Sequence, residues 1–238
     1  MANGTTTDGY LTTKFQFSEL KTNTVMTKKI IIFGATGGIG RHAVRHALEK
    51  GYEVVAYVRN PSKIKIEHPK LTVAKGELTD YEAMRDVIRG CDAVVWTVGV
   101  SMERHYEGMP ALDGHKLLLK AMQETGVKRL VDWGTPSVKF EQDKRSFITI
   151  VPGIAAAILF PQSKKEMVAI GDLLKQSDLD WTLVRFMQPT DKEPVGEVKV
   201  SFGDKSIRMA ITRDDIAKFM IEQVESKEYI KSMPIIGS

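Results

Sequence analysis

The clearest chemical signal in the chain is the run Gly34-Ala35-Thr36-Gly37-Gly38-Ile39-Gly40, followed nineteen residues later by Arg59. The glycines have G-x-x-G-x-x-G spacing and sit between the apolar run Ile30-Ile31-Ile32-Phe33 and an amphipathic stretch. Gly34 permits a tight turn out of a strand, Gly37 lets backbone approach a diphosphate, and Gly40 allows a helix to pack closely on that strand. A helix beginning near Gly38 then offers unpaired amides and a positive dipole end to phosphate oxygens. With Thr36 and Ile39 completing the loop, this is the chemistry of a dinucleotide cradle.

The tip of the second apolar run selects the dinucleotide. A carboxylate there, about 20 residues past the glycines, accepts from the ribose 2′-hydroxyl of NAD, whereas a 2′-phosphate calls for a cation. The chain reads Ala56-Tyr57-Val58-Arg59-Asn60, with no carboxylate. The Arg59 guanidinium can make paired, charge-assisted bonds to a phosphate, and Lys63 adds charge nearby. NADP is therefore the expected cofactor. NAD stays open, because Arg59 can also stack on adenine, and the plain alternative for Arg59 is a solvated surface cation.

These residues need a scaffold, and the pattern around them supplies one. Short apolar runs at about 29–33, 53–58, 71–75, 92–97, 128–132 and 181–186 alternate with amphipathic stretches at about 38–50, 80–89, 111–125, 163–176 and 212–225. That alternation predicts βαβ units and a doubly wound parallel sheet, an α/β Rossmann fold with helices on both faces. Thr79 with Glu82 and Thr212 with Asp215 have capping-box spacing. Gly51, Gly90 and Gly126 fall just past three helices, where a left-handed residue is wanted. Two stretches break the rhythm. Residues 136–162 run from a polar loop into an apolar segment, Phe147 to Phe160, and residues 187–210 read as loop plus a hairpin around Gly203-Asp204. Both follow strand ends, so they are expected to wall a substrate pocket as a small substrate lobe on one domain spanning residues 29–238. Residues 1–28 read as a leader or appended tail, with Met26 as the expected native start.

Bulk properties narrow the classes. The 238 residues carry a net charge of +4, with basic and acidic residues interspersed, so no nucleic-acid partner is expected. No apolar run approaches the roughly 20 residues a membrane span requires, and no membrane partner is expected. The single cysteine, Cys91, excludes an intrachain disulfide and fits a cytoplasmic setting. A monomer or homodimer is expected. His42, His46, His68 and His115 show no metal-like pairing and read as structural.

Beyond the glycine loop and Val58-Arg59, the segments Gly76-Glu77-Leu78-Thr79-Asp80, Thr97-Val98-Gly99, Ser177 to Arg185, and Ile211-Thr212-Arg213-Asp214-Asp215-Ile216-Ala217 resemble the atypical short-chain dehydrogenase/reductases. Within them the chain is most similar to the NmrA-like and flavin/biliverdin-reductase-like NAD(P)H-binding proteins, over residues 29–238. The resemblance implies that Glu77 and Leu78 border the adenine. It places Thr97, Val98 and Gly99 beside the nicotinamide ribose, and Gly134-Thr135 where many relatives carry a serine pair. It also exposes a departure: in place of Tyr-x-x-x-Lys the comparable stretch reads Pro161-Gln162-Ser163-Lys164-Lys165. Without the tyrosine, ordinary alcohol or ketone chemistry lacks its proton donor. Lys165 is left as a ribose contact or a solvated charge.

A reaction that survives this loss is hydride transfer from NADPH to a planar acceptor such as a flavin, quinone or tetrapyrrole, with the protein supplying orientation and water exclusion. Thr135 would hold the carboxamide or an acceptor oxygen. Trp133, Phe160, Phe186, Met187 and Gln188 would border the acceptor, and His105 and Tyr106 are the remaining candidates for proton donation. The alternative is a redox-sensing protein that holds NADP(H) and regulates a partner without turnover.

Overall fold

A computed structural model describes residues 27–238. The expectations for residues 1–26, including Met26 as a start, lie outside the described residues. Six strands, β1 (Lys29–Phe33), β2 (Glu53–Val58), β3 (Leu71–Lys75), β4 (Ala93–Trp96), β5 (Arg129–Gly134) and β6 (Asp180–Arg185), pair in parallel in the spatial order 3-2-1-4-5-6. This is the doubly wound order of dinucleotide-binding sheets.

The reason is visible in β1. Successive side chains alternate across the sheet, so Ile30 and Ile32 join one apolar layer while Ile31 and Phe33 join the opposite one. All four are fully buried, and burying each such side chain contributes about 1.5–3 kcal/mol. A strand that is apolar on both faces needs helices on both sides. Helices α1 (Gly40–Glu49) and α6 (Arg213–Glu222) cover the first face; α2 (Tyr81–Ile88), α3 (Pro110–Thr125) and α5 (Pro161–Lys175) cover the second. The exception is β3, where Thr72 and Val73 stay exposed because it is the sheet edge.

Helix ends follow the sequence signals with two corrections. Gly51, Gly90 and Gly126 all adopt positive φ. Thr212 caps α6 as expected, accepting from the Asp215 amide at 3.0 Å. The Asp215 carboxylate, however, accepts from the Val195 and Gly196 amides, both at 3.0 Å, and pins the preceding loop. The cap of α2 is Asp80 rather than Thr79: the helix starts one residue later, and the Asp80 carboxylate accepts from the Ala83 amide at 3.0 Å.

Both stretches that break the rhythm contain elements the sequence did not announce. The apolar run is a helix, α4 (Phe147–Leu159), despite Pro152 in its interior. The Ser146 amide donates to Thr149 Oγ1 at 3.0 Å at its start. No hairpin forms around Gly203-Asp204. Instead β8 (Lys199–Ser201) runs antiparallel to a last strand, β10 (Ile235–Gly237), which extends the sheet beyond β6, while β7 (Gln188–Thr190) and β9 (Ala210–Thr212) form a separate parallel pair. The turn itself is present, with the Gly203 and Lys205 amides donating to Ser201 Oγ at 2.9 and 3.2 Å, but the strand before it pairs with the distant β10 instead of with the chain that follows. Among the described residues no helix is long and apolar enough to cross a membrane.

Candidate functional site

The chain order reverses at β1, whose neighbours are β2 and β4, and a sheet that splits there leaves a crevice beyond its carboxyl ends. A cavity of about 560 Å³ fills that crevice. Of the residues singled out from sequence, Gly37, Gly38, Ile39, Thr97, Gly99 and Thr135 line it, together with Trp133, Phe160, Phe186 and Met187.

The glycine loop is shaped by close approach. Gly34 has φ +77°, and a Cβ there would lie 2.8 Å from the Thr97 carbonyl carbon. A Cβ on Gly40 would lie 2.1 Å from the Gly34 carbonyl oxygen, which already accepts from the Gly37 amide at 2.8 Å. The helix that follows has no acidic residue in its first turn and no capping side chain. The Arg41 and His42 amides already donate to the Gly37 and Ile39 carbonyls at 3.1 and 3.0 Å, which leaves the Gly38, Ile39 and Gly40 amides open to an anion, with no side chain capping them as in α2 and α6.

Sequence reasoning missed the cations beside this end. Arg213 passes over Gly38, where a Cβ would sit 2.8 Å from its Nε, and Arg41 lies on the first turn of α1. Both reach Asp191, Arg213 at 2.7 Å and Arg41 at 3.3 Å. Such an exposed pair is worth only about 0–1 kcal/mol, so a diphosphate can take over either guanidinium at small cost. Arg213 was legible only as part of a terminal helix; it reaches the loop because α6 packs on α1. A bare helix end, glycines that cannot carry a Cβ and two flanking cations fit a dinucleotide diphosphate.

On the far side, Arg59 directly follows β2, exposed and without an ion-pair partner among the described residues. Asn60 accepts from the Ser62 amide and turns the chain away. The Glu77 carbonyl accepts from the Tyr57 hydroxyl at 3.0 Å, and Leu78 packs half-buried near Gly114. Glu77 and Leu78 thus border β2 beyond β3, outside the cavity itself. The Thr97 hydroxyl donates to the Phe33 carbonyl at 2.7 Å, tying β4 to β1, and the Val98 carbonyl accepts from the Trp133 indole at 2.8 Å. Trp133 and Phe186 stack, with ring centroids 5.4 Å apart and planes 23° apart. The Thr135 and Ser137 hydroxyls are 2.6 Å apart.

The structure moves the lysine expectation by one residue. Lys164, not Lys165, lines the cavity, and it shares that wall with Phe160, four residues earlier. Positions i and i+4 lie on one helix face, whereas the next residue turns away; Lys165 is exposed outside the cavity. Four residues before Lys164, where a Tyr-x-x-x-Lys pattern ending at that lysine would carry tyrosine, stands Phe160. The Lys164 ammonium donates to the Gly153 carbonyl at 2.9 Å.

The proton-donor candidates in the loop before α3 do not reach the cavity. His105 is exposed and outside its lining. The Tyr106 hydroxyl donates to Glu166, and burial first, then that carboxylate, push the phenol up to about 12. Glu166 is fully buried and accepts from the Ala111 and Leu112 amides at 2.6 and 3.0 Å, capping α3 from α5.

Behind the wall lies a buried ion pair. His115 Nε2 is 2.9 Å from Asp132 Oδ2 and Nδ1 is 2.6 Å from the Ala111 carbonyl, so both ring nitrogens face acceptors and the ring is best satisfied when doubly protonated. Burial opposes the charge, but Asp132, its hydrogen bond and the Ala111 carbonyl outweigh it and raise the His115 pKa above 6.5. A raised folded-state pKa gives stability that is complete below about 6.5 and is lost as pH climbs through the folded value. The melting temperature of a His115→Gln variant is expected to fall furthest below wild type near pH 6, with the gap narrowing as pH rises through the raised folded-state value. A gap constant across that range in thermal melts would show that the pair contributes no charge-linked stability.

The profile of a family described as NAD(P)H-binding matches residues 34–227. Cinnamoyl-CoA reductase 1 of Arabidopsis thaliana is 36% identical over 113 residues, 44% of this chain and 33% of that protein, so the match spans a third of the relative's length. Among solved structures, ChuY, an anaerobillin reductase from Escherichia coli O157:H7, superposes with a TM-score of 0.71 at 18% identity, covering 88% of this chain and 97% of its own. A short-chain dehydrogenase/reductase from Veillonella parvula, solved in complex with NADP, gives 0.68 at 16% identity, covering 90% and 95%. At these identities the two structures show the shared fold.

Proposed function

The chain belongs to the NAD(P)H-binding family, and from that premise we propose that it is an NADPH-dependent reductase of a planar acceptor such as a flavin, quinone or tetrapyrrole. The observation that carries this reading is the cavity wall. A stacked Trp133–Phe186 pair and the Phe160 ring stand beside the glycine loop in one mostly apolar chamber. NADPH, when bound, supplies a hydride. The chain's own part is to hold the diphosphate at the α1 amides with Arg41 and Arg213, to place the 2′-phosphate at Arg59, and to hold the nicotinamide end near Thr97, Gly99, Thr135 and Lys164.

With phenylalanine at the tyrosine position, the accompanying proton is left to water. That restricts the reaction to acceptors that take hydride before proton. Two of the similar proteins are named as reductases, one of anaerobillin and one of cinnamoyl-CoA, which supports reduction as the class of reaction. The test is NADPH absorbance in the presence of FMN, FAD, a quinone or biliverdin, with oxidation expected for at least one. The same Phe160 favours a second reading, a non-catalytic NADP(H) sensor. Tight NADPH binding with no oxidation by any acceptor would establish that reading instead.

Cofactor choice has its own check. Arg59→Glu is expected to weaken NADPH about tenfold to a hundredfold, the equivalent of losing ~1.5–3 kcal/mol of charge-assisted bonding, while NADH changes little. Fluorescence titrations with both nucleotides measure it, and equal losses would remove Arg59 from the 2′-phosphate site.

A further inference from the structure

Helix α4 is apolar on two sides. Pro152, Ala155, Ala156 and Leu159 face the cavity, while Phe147, Val151, Ile154 and Ile158, spaced four, three and four apart, form a stripe that is 39–63% exposed. A helix that is hydrophobic all round belongs in a protein interior or a bilayer, yet this one lies at the surface. An apolar stripe of this kind marks an interaction face. The surrounding charge says which. From residue 144 to residue 165 the chain carries Lys144, Arg145, Lys164 and Lys165 and no carboxylate, and the first acid after it, Glu166, is buried under α3.

We propose that α4 docks the protein on an anionic phospholipid surface, its stripe seated among the acyl chains and its flanking cations on the headgroups. Interfacial helices combine just these features, apolar side chains inward and lysine or arginine at the headgroup level. A second copy of the chain fits less well. A two-fold pairing of α4 with itself sets Lys144 and Arg145 against either the same residues or the Lys165 end, and of the two acids just before them Asp143 is taken by Arg185, which leaves Glu141 alone against the cations. The docking needs no membrane span and departs from the expectation of no membrane partner. It stands apart from turnover in the cavity, because the stripe, Lys144, Arg145 and Lys165 lie outside the cavity lining, and Lys164, which lines it, is not among the cations assigned to the headgroups.

Flotation of the full chain with vesicles tests it. Wild type is expected to float with phosphatidylcholine vesicles containing phosphatidylglycerol and to bind pure phosphatidylcholine much less. An Ile154→Glu/Ile158→Glu variant is expected to lose binding about tenfold or more, as two charges are forced into the acyl region. A Lys144→Gln/Arg145→Gln variant should lose the preference for anionic vesicles. NADPH titration, which none of these substitutions should move, confirms that each variant is folded. Absence of wild-type binding to either vesicle overturns the proposal, as does unchanged binding by the glutamate pair. A dimer seen by sedimentation that the glutamate pair dissolves, without vesicle binding, overturns it in favour of a second copy.

Discussion

Gly40→Ala is expected to abolish NADPH binding within the measurable range and to lower the melting temperature by several degrees. The added methyl would lie 2.1 Å from the Gly34 carbonyl oxygen and 2.7 Å from Thr97 Oγ1. Neither can give way cheaply. The Gly34 carbonyl closes the turn by accepting from the Gly37 amide, and the Thr97 hydroxyl is held by the Phe33 carbonyl at 2.7 Å. Relief must come from moving α1 off the end of β1, which carries the loop amides away from the diphosphate. Overpacking of this kind costs about 1–3 kcal/mol or more. For a chain of this size each kcal/mol lowers the melting temperature by about 2–4 °C. Gly99→Ala is the control, because a Cβ there meets nothing within 4 Å. It should leave the melting temperature unchanged. A Gly40→Ala protein that bound NADPH within about threefold of wild type would show that the close packing of α1 on β1 is dispensable.

The contrast between these two glycines bears on how far the sequence could be read. Gly34, Gly37 and Gly40 announce themselves because their spacing answers a local need, a turn and a close approach between consecutive elements. The six parallel strands were legible for a similar reason: runs such as Ile30 to Phe33 are apolar on both faces and short, and only a sheet covered on both sides suits them. What stayed hidden depends on contacts between segments far apart in the chain. The three-residue strand Ile235–Gly237 carries too short a pattern to stand out and is defined by its partners β6 and β8. Helix α4 reads poorly because β-branched residues and Pro152 argue against it, whereas its position is fixed by packing at the cavity.

The site divides along the same line. The loop and Arg59 came from spacing. Arg213, and Lys164 in preference to Lys165, came only from geometry, since a shift of one residue on a helix turns a side chain by about 100°. Loop residues are the hardest case. His105 and Tyr106 follow a strand end, as ligand-binding residues do, but the buried Glu166 draws Tyr106 inward and His105 lies outside the cavity lining.

Arg185→Leu is expected to be the most destabilising single change on the substrate side of the sheet. Arg185, the last residue of β6, is fully buried. Its guanidinium grips Asp143 through two bonds of 2.6 and 2.8 Å and donates to the Val138 carbonyl at 2.8 Å and the Met233 carbonyl at 2.7 Å. One side chain thus joins the sheet, the loop leading into α4 and the approach to β10. Leucine in its place leaves the Asp143 carboxylate buried without a counterion and two carbonyls without donors. Removing one partner of a buried pair costs about 3–5 kcal/mol, a fall of about 6–20 °C at this chain length. The double variant Arg185→Leu/Asp143→Leu no longer strands a charge, so it is expected to recover part of that loss. Thermal melts of the two single variants and the double variant form the cycle. Equal melting temperatures for Arg185→Leu and the double variant would mean that Asp143 finds solvent when unpaired, and that the loop before α4 is held by something other than this arginine.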